Sequence, residues 1–265
     1  MDYVKPADIA TNMAAVGAMK AKLPPSSLLL RGALAGAFLA VATSMAVTAA
    51  VQTGFPIVGA LIFPFGLCLV ILLGTELITG SFALLPCATA DNAADWGQVI
   101  VNWGWVFLGN LLGSVGYAIL LSISLTMMGS FDPLPVGQKL VKVAEAKTIG
   151  YAAHGGAGMI TVFVKAILCN WMVSLAVVMA LASTSVVGKM LAIWGPVMLF
   201  FSQGFEHTVV NMFVIPSGIL MGANVTIGQW WMWNQIPVTL GNLVGGMFFT
   251  GLAIYLTHRP AKQAS

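Results

Sequence analysis

Glu76, Glu206 and His207 are the residues whose type and setting could do chemistry. The two glutamates are the only acidic side chains inside the long apolar stretches, and His207 is the only histidine there. A carboxylate at membrane depth is costly and needs a partner or water. Two uses are open to this pair: accepting amide hydrogen bonds from interrupted backbone, or bordering the path of a solute. A histidine ring ordinarily titrates near neutral pH, so His207 beside Glu206 suits proton exchange with a weak acid, or else serves as a satisfied structural donor. Lys165, in KAILCNWMVSLA, either draws a solute inward or snorkels to the boundary. Phe63, Leu67, Leu77, Phe200 and Phe201 flank the same positions and could form constrictions that exclude water, the other reading being ordinary core.

The elements that must hold these residues are written twice. Gly74-Thr-Glu76 is followed by Pro86, and Gly204-Phe-Glu206 by Pro216, at identical offsets. At nearly the same shift, NWGWVFLGNLLG (102–113) matches NQIPVTLGNLVG (234–245) at Asn, at Leu-Gly-Asn-Leu and at the final Gly. The chain is a duplicated unit of three spans, and an odd span count inverts the second copy relative to the first. Gly, Thr and Ser around each glutamate predict two discontinuous helices facing each other, since irregular backbone at this depth survives only against protein or an aqueous path. Gly32, Gly36, Gly109 and Gly113 form GxxxG spacings that pack close helices or make oligomer contacts.

Composition supplies the solvent. Only 7% of residues are charged and mean hydropathy is +0.95, which excludes a water-facing globule and points to lipid. Apolar stretches at about 27–52, 57–89, 98–128, 158–183, 188–214 and 230–257 give an all-α polytopic membrane protein with six spans. Residues 1–25 form an amphipathic segment at the cytoplasmic membrane surface, with Ile9, Met13 and Val16 on one face. They lack the apolar core of a signal peptide. The first repeat covers 26–130, an extracytoplasmic loop 131–157, the inverted repeat 158–257 and a cytoplasmic tail 258–265. Lys5, Lys20, Lys22, Arg31, Lys189, Arg259 and Lys262 on one side outnumber Lys139, Lys142 and Lys147 on the other, which places both termini in the cytoplasm. Basic residues are scattered singly, so nucleic acid is not a partner. Cys68, Cys87 and Cys169 make no metal, haem or disulfide motif, and no cofactor is expected. An enzyme such as a membrane cytochrome subunit needs paired axial ligands, and only His207 is placed for that.

ILLGTELITGS (71–81), KAILCNWMVSLA (165–176), QGFEHTVVNMFVIP (203–216) and the LGN repeats together resemble the formate/nitrite transporter family over essentially the whole chain. The resemblance implies a homopentamer of aquaporin-like protomers in a prokaryotic inner membrane, each with a pore for small monovalent anions. It puts the family's central histidine on His207 and its broken-helix threonine on Thr79. Constriction positions fall on Phe63, Leu67, Leu77, Ile78, Val173 and Phe200, and lining asparagines on Asn170 and Asn211. Ile78 stands where formate channels often carry phenylalanine, and Ser174 where cysteine is usual. Formate is the leading substrate, because the opening MDYVKPADI resembles formate-transporting branches; nitrite and hydrosulfide are alternatives. On this reading His207, or a relay through it and Thr79, lends a proton that neutralises the anion for the dry step. An aquaporin-like channel for neutral solutes would use the same repeat and breaks.

Overall fold

The computed structural model describes residues 2–259, so residues 260–265 of the expected tail lie outside the described residues. Helix α1 (Pro6–Ala21) precedes α2 (Pro25–Thr53), α3 (Pro56–Ile62), α4 (Phe65–Leu72), α5 (Ile78–Ala90) and α6 (Trp96–Thr126). The second half runs through α7 (Pro135–Ala146), α8 (Ile149–Ala152), α9 (Gly155–Ala180), α10 (Val186–Ser202), α11 (Thr208–Leu220) and α12 (Ile227–His258). Helix α12 contains π turns at Trp231–Gln235 and Gly245–Leu252. Among the described residues α2, α6, α9 and α12 are long and apolar enough to cross a bilayer. The other two apolar stretches are interrupted, at 73–77 between α4 and α5 and at 203–207 between α10 and α11.

Small residues let these helices close on one another. A β-carbon at Gly36 would overlap the Asn110 carbonyl, and one at Gly113 the Ala33 carbonyl. The GxxxG spacings therefore pack α2 against α6 within the chain. Gly245 and Gly251 bring α12 equally close to Ile167 of α9 and Ala83 of α5.

The segment 131–157, expected as a loop, is largely helical, and α7 is the second half's version of α1. Its buried face, Gly137, Leu140 and Ala144, packs on α11 through Gly218. Helix α1 buries Ala10, Met13, Ala14 and Gly17, and packs on α5 where Gly17 meets the Leu84 carbonyl. The start of the chain is tied to the α9–α10 connection, with Val4 N–H donating to the Ala182 carbonyl at 2.9 Å and Thr184 N–H to the Asp2 carbonyl at 3.1 Å.

Candidate functional site: a central histidine between two vestibules

Each break begins as a helix end that glycine closes. Gly74 and Gly204 sit at φ of +63° and +64°, and the following N–H returns to the helix, Thr75 to the Val70 carbonyl at 3.0 Å and Phe205 to the Phe200 carbonyl at 3.2 Å. This is a Schellman-type termination, for which a β-carbon is unfavourable. The glutamate comes next, and its N–H bonds across to a long helix: Glu76 to the Arg31 carbonyl and Glu206 to the Lys165 carbonyl, both at 3.3 Å.

The asparagine of each LGN triplet then clamps the break from both sides. Asn110 Oδ1 accepts from Ile78 N–H at 3.0 Å, while its Nδ2 donates to the carbonyls of Gly32 and Glu76 at 2.8 and 2.9 Å. Asn242 repeats this with Thr208 N–H at 2.8 Å and the carbonyls of Ala166 and Glu206 at 2.8 and 2.9 Å. Both asparagines are fully buried. Broken helices leave backbone groups that cost free energy unless paired, and one amide per break pairs two of them while tying them to a carbonyl of the neighbouring long helix.

The glutamates fasten the amphipathic helices to the breaks. Lys20, in the last turn of α1, bonds Glu76 at 2.7 Å, and Lys147, at the end of α7, bonds Glu206 at 2.8 Å. Asn102 and Asn234 donate to the carbonyls of these lysines, each at 2.9 Å. The two carboxylates differ in support. Glu206 also accepts from Tyr151 Oη and Asn211 Nδ2, both at 2.8 Å, and from Asn234 Nδ2 at 3.3 Å, whereas Lys20 is the only donor found on the Glu76 side chain among the described residues. Lys165 lies with its ammonium 5.8 Å from the centre of the Tyr151 ring, a cation–π contact.

His207 occupies the N-cap of α11, and Leu77 the same place on α5. His207 Nδ1 accepts from the N–H groups of Val209 and Val210, both at 3.2 Å, whereas Leu77 has no side-chain acceptor to offer α5. With the Nδ1 lone pair so engaged, the ring is the neutral tautomer with its proton on Nε2, which donates to Thr79 Oγ1 at 3.2 Å. An imidazolium would turn an Nδ1–H toward two other donors. The ring stacks on Phe200, centroids 5.8 Å apart.

Three spaces adjoin one another through shared walls, Phe200 and His207 on one side and Leu67 and Leu77 on the other. One vestibule, a cavity of about 290 Å³, is lined by Lys139, Lys147, Phe200, Phe205 and His207 among others. A second, of about 420 Å³, is lined by Lys20, Arg31, Glu76, Leu67, Leu77 and Lys189. Between them is a void of about 10 Å³ enclosed by Leu39, Phe63, Leu67, Leu77, Val173, Val197, Phe200 and His207. That is at the lower limit for a single water. The constriction positions Phe63, Leu67, Leu77, Val173 and Phe200 thus meet His207 at one place.

The other expected positions, Ile78, Thr79, Asn170 and Asn211, are not among the residues lining these three spaces. Ile78 is buried next to Leu77 with its N–H held by Asn110. Asn170 donates to the carbonyls of Thr79 and Asn242 at 3.1 and 2.6 Å, and Ser174 bonds Asn170 Oδ1 at 3.2 Å. Asn211 bonds Glu206 and Asn234. Sequence reasoning missed the clamps Asn110 and Asn242 and the lysine partners Lys20 and Lys147. The doubled LGN signal was visible for the clamps; nothing comparable marked the lysines.

The family model described as "Formate/nitrite transporter" matches residues 7–256. A "Probable formate transporter" of Methanothermobacter thermautotrophicus is 38% identical, over 97% of this chain and 97% of its own length. The "Formate channel FocA" of Escherichia coli K12 is 30% identical, over 97% of this chain and 95% of its own. Among solved structures, an "FNT family ion channel" superposes with a TM-score of 0.83 at 31% identity, covering 96% of this chain and 99% of that one. A "Pentameric formate channel with formate bound" gives a TM-score of 0.73 at 28% identity, covering 88% and 97%. Duplicated broken helices, a capped central histidine and these matches agree: the chain belongs to the formate/nitrite transporter family.

Proposed function

We propose that this protein is a membrane channel for small monovalent weak-acid anions, formate foremost, working as a homopentamer of six-span protomers in a prokaryotic cytoplasmic membrane with both termini inside. The observation that carries the reading is the His207 Nε2–H and Thr79 hydroxyl pair beside a nearly closed apolar void, between vestibules lined by Lys139 and Lys147 on one side and Lys20, Arg31 and Lys189 on the other. Lysines and arginine raise the local concentration of anions at each mouth. A bare anion then loses its hydration in the void, which costs many kcal/mol unless donors replace it. His207 Nε2–H and the Thr79 hydroxyl are such donors, and an oxygen anion that is also a proton acceptor answers them better than chloride does.

The two N–H bonds at Nδ1 favour selectivity by hydrogen bonding over full proton transfer, because loss of the Nε2 proton from a neutral ring would leave an imidazolate. A conjugate acid crossing the void takes its proton from water in a vestibule. Support from relatives lies in the names of the formate channel of Escherichia coli and of the pentameric channel with formate bound. The family description also names nitrite, and nitrite or hydrosulfide is the alternative substrate for the same donors.

Flux from purified protein in liposomes tests this, with formate, nitrite, hydrosulfide, chloride, glycerol and urea compared at two pH values. Formate and nitrite are expected to move fastest, chloride slowly and the neutral solutes not at all. Glycerol or urea permeation equal to that of formate would refute anion selection.

A further inference from the structure

The twofold relation between the halves exposes a difference in charge. Arg31 and Lys165 do the same backbone task, offering a carbonyl to Glu76 N–H and Glu206 N–H. Lys165 places its ammonium against the Tyr151 ring, whereas Arg31 is exposed and lines the larger vestibule. Lys189 from α10 lines the same space, and among the described residues neither Arg31 nor Lys189 forms an ion pair. The only acidic residue of that lining, Glu76, is engaged by Lys20 at 2.7 Å. Gly80, in the first turn of α5, whose N-cap residue Leu77 offers no side-chain acceptor, also faces it, so the positive end of that helix adds to the same field.

We infer that this vestibule is a binding site for a multivalent tetrahedral oxoanion of the sulfate or phosphate class, which enters from the Arg31 face and blocks the pore. The guanidinium fork matches two oxygens of such an anion, and the Lys189 ammonium supplies a point charge. About 420 Å³ holds the anion with part of its hydration, while the 10 Å³ void walled by Leu67, Leu77, Phe63 and Phe200 must widen for any anion, and further for a hydrated tetrahedral one than for planar formate. A divalent anion must shed more hydration than formate and finds only the same few donors ahead. It binds and stops there. The blocking half of this inference rests on the anion-channel reading; the binding half does not.

The test has two arms. Equilibrium binding of radiolabelled sulfate is measured on the detergent-purified oligomer without added phospholipid, at constant ionic strength. Saturable binding of about one sulfate per chain is expected, weakened at least about tenfold in Arg31→Gln/Lys189→Gln and several-fold in Arg31→Lys, which keeps the charge and loses the fork. In liposomes, sulfate on the Arg31 face slows formate flux, and the ratio of blocked to free flux approaches one in the double variant. Absence of saturable binding, binding unchanged in Arg31→Lys and in the double variant, or equal block from both faces overturns the inference. Loss of sulfate binding on adding anionic phospholipid also overturns it, by making a headgroup phosphate the occupant. A wild-type protein that binds sulfate but moves no formate sinks the channel reading and leaves the site standing.

Discussion

Replacing His207 by Asn separates the two jobs of the ring. Asparagine is a favoured N-cap residue whose side-chain oxygen accepts from the same first-turn N–H groups, so it can stand in for Nδ1 toward Val209 and Val210. It is too short to replace Nε2, and the 3.2 Å bond to Thr79 is lost, at a net cost of about 1 kcal/mol. The oligomer should therefore survive. A hydrogen bond to an ion is worth about 1.5–3 kcal/mol, and each 1.4 kcal/mol is a factor of ten, so losing the Nε2–H donor should lower the preference for formate over chloride by about 10- to 100-fold. The assay is formate and chloride flux in the same liposomes, with size-exclusion chromatography confirming the oligomer. The pH dependence of formate flux should persist, because the proton comes from vestibule water. A folded Asn variant with an unchanged formate-to-chloride ratio would refute the donor role, and one that loses the pH dependence would show that the ring itself exchanges the proton.

The unequal support of the two glutamates predicts unequal sensitivity. Glu206→Gln sets an amide among four donors and should cost about 3 kcal/mol, more than Glu76→Gln, which loses the bond to Lys20; melting of the detergent-solubilised oligomer checks the order, and a fully stable Glu206→Gln oligomer with altered ion preference would count against a structural role. Asn110→Ala and Asn242→Ala each remove three buried backbone partners and should each destabilise by about 3 kcal/mol, so a loss confined to one of them would contradict the twofold clamp. Cysteines introduced at Gln138, exposed on α7, and at the C-terminus should label from opposite sides, and an impermeant reagent that reaches the C-terminal site from outside intact cells reverses the proposed topology.

What the sequence determined by itself was local or repeated. Apolar runs named lipid as the solvent because hydropathy is a sum over neighbours, and the Gly-x-Glu pattern marked both breaks because a glycine with positive φ ends a helix within a few residues. Written twice, the pattern also revealed the duplication. The tertiary structure decided which distant groups meet. Lys20 lies 56 residues before Glu76 and Lys147 59 before Glu206, and no periodicity links them. The lysine-rich segment at 139–147 read as a connection because its polar face dominates, whereas α7 buries Gly137, Leu140 and Ala144 against α11. Asn170 and Asn211 read as pore-lining from the resemblance, and the fold turns their amides to the carbonyls of Thr79 and Asn242 and to Glu206. The tautomer of His207 depended on two N–H groups that converge on Nδ1 only once α11 begins at that residue. Helix ends and membrane depth follow from short stretches of chain, but a buried polar group takes whichever partner packing brings within 3 Å, and that is fixed only when the halves close on each other.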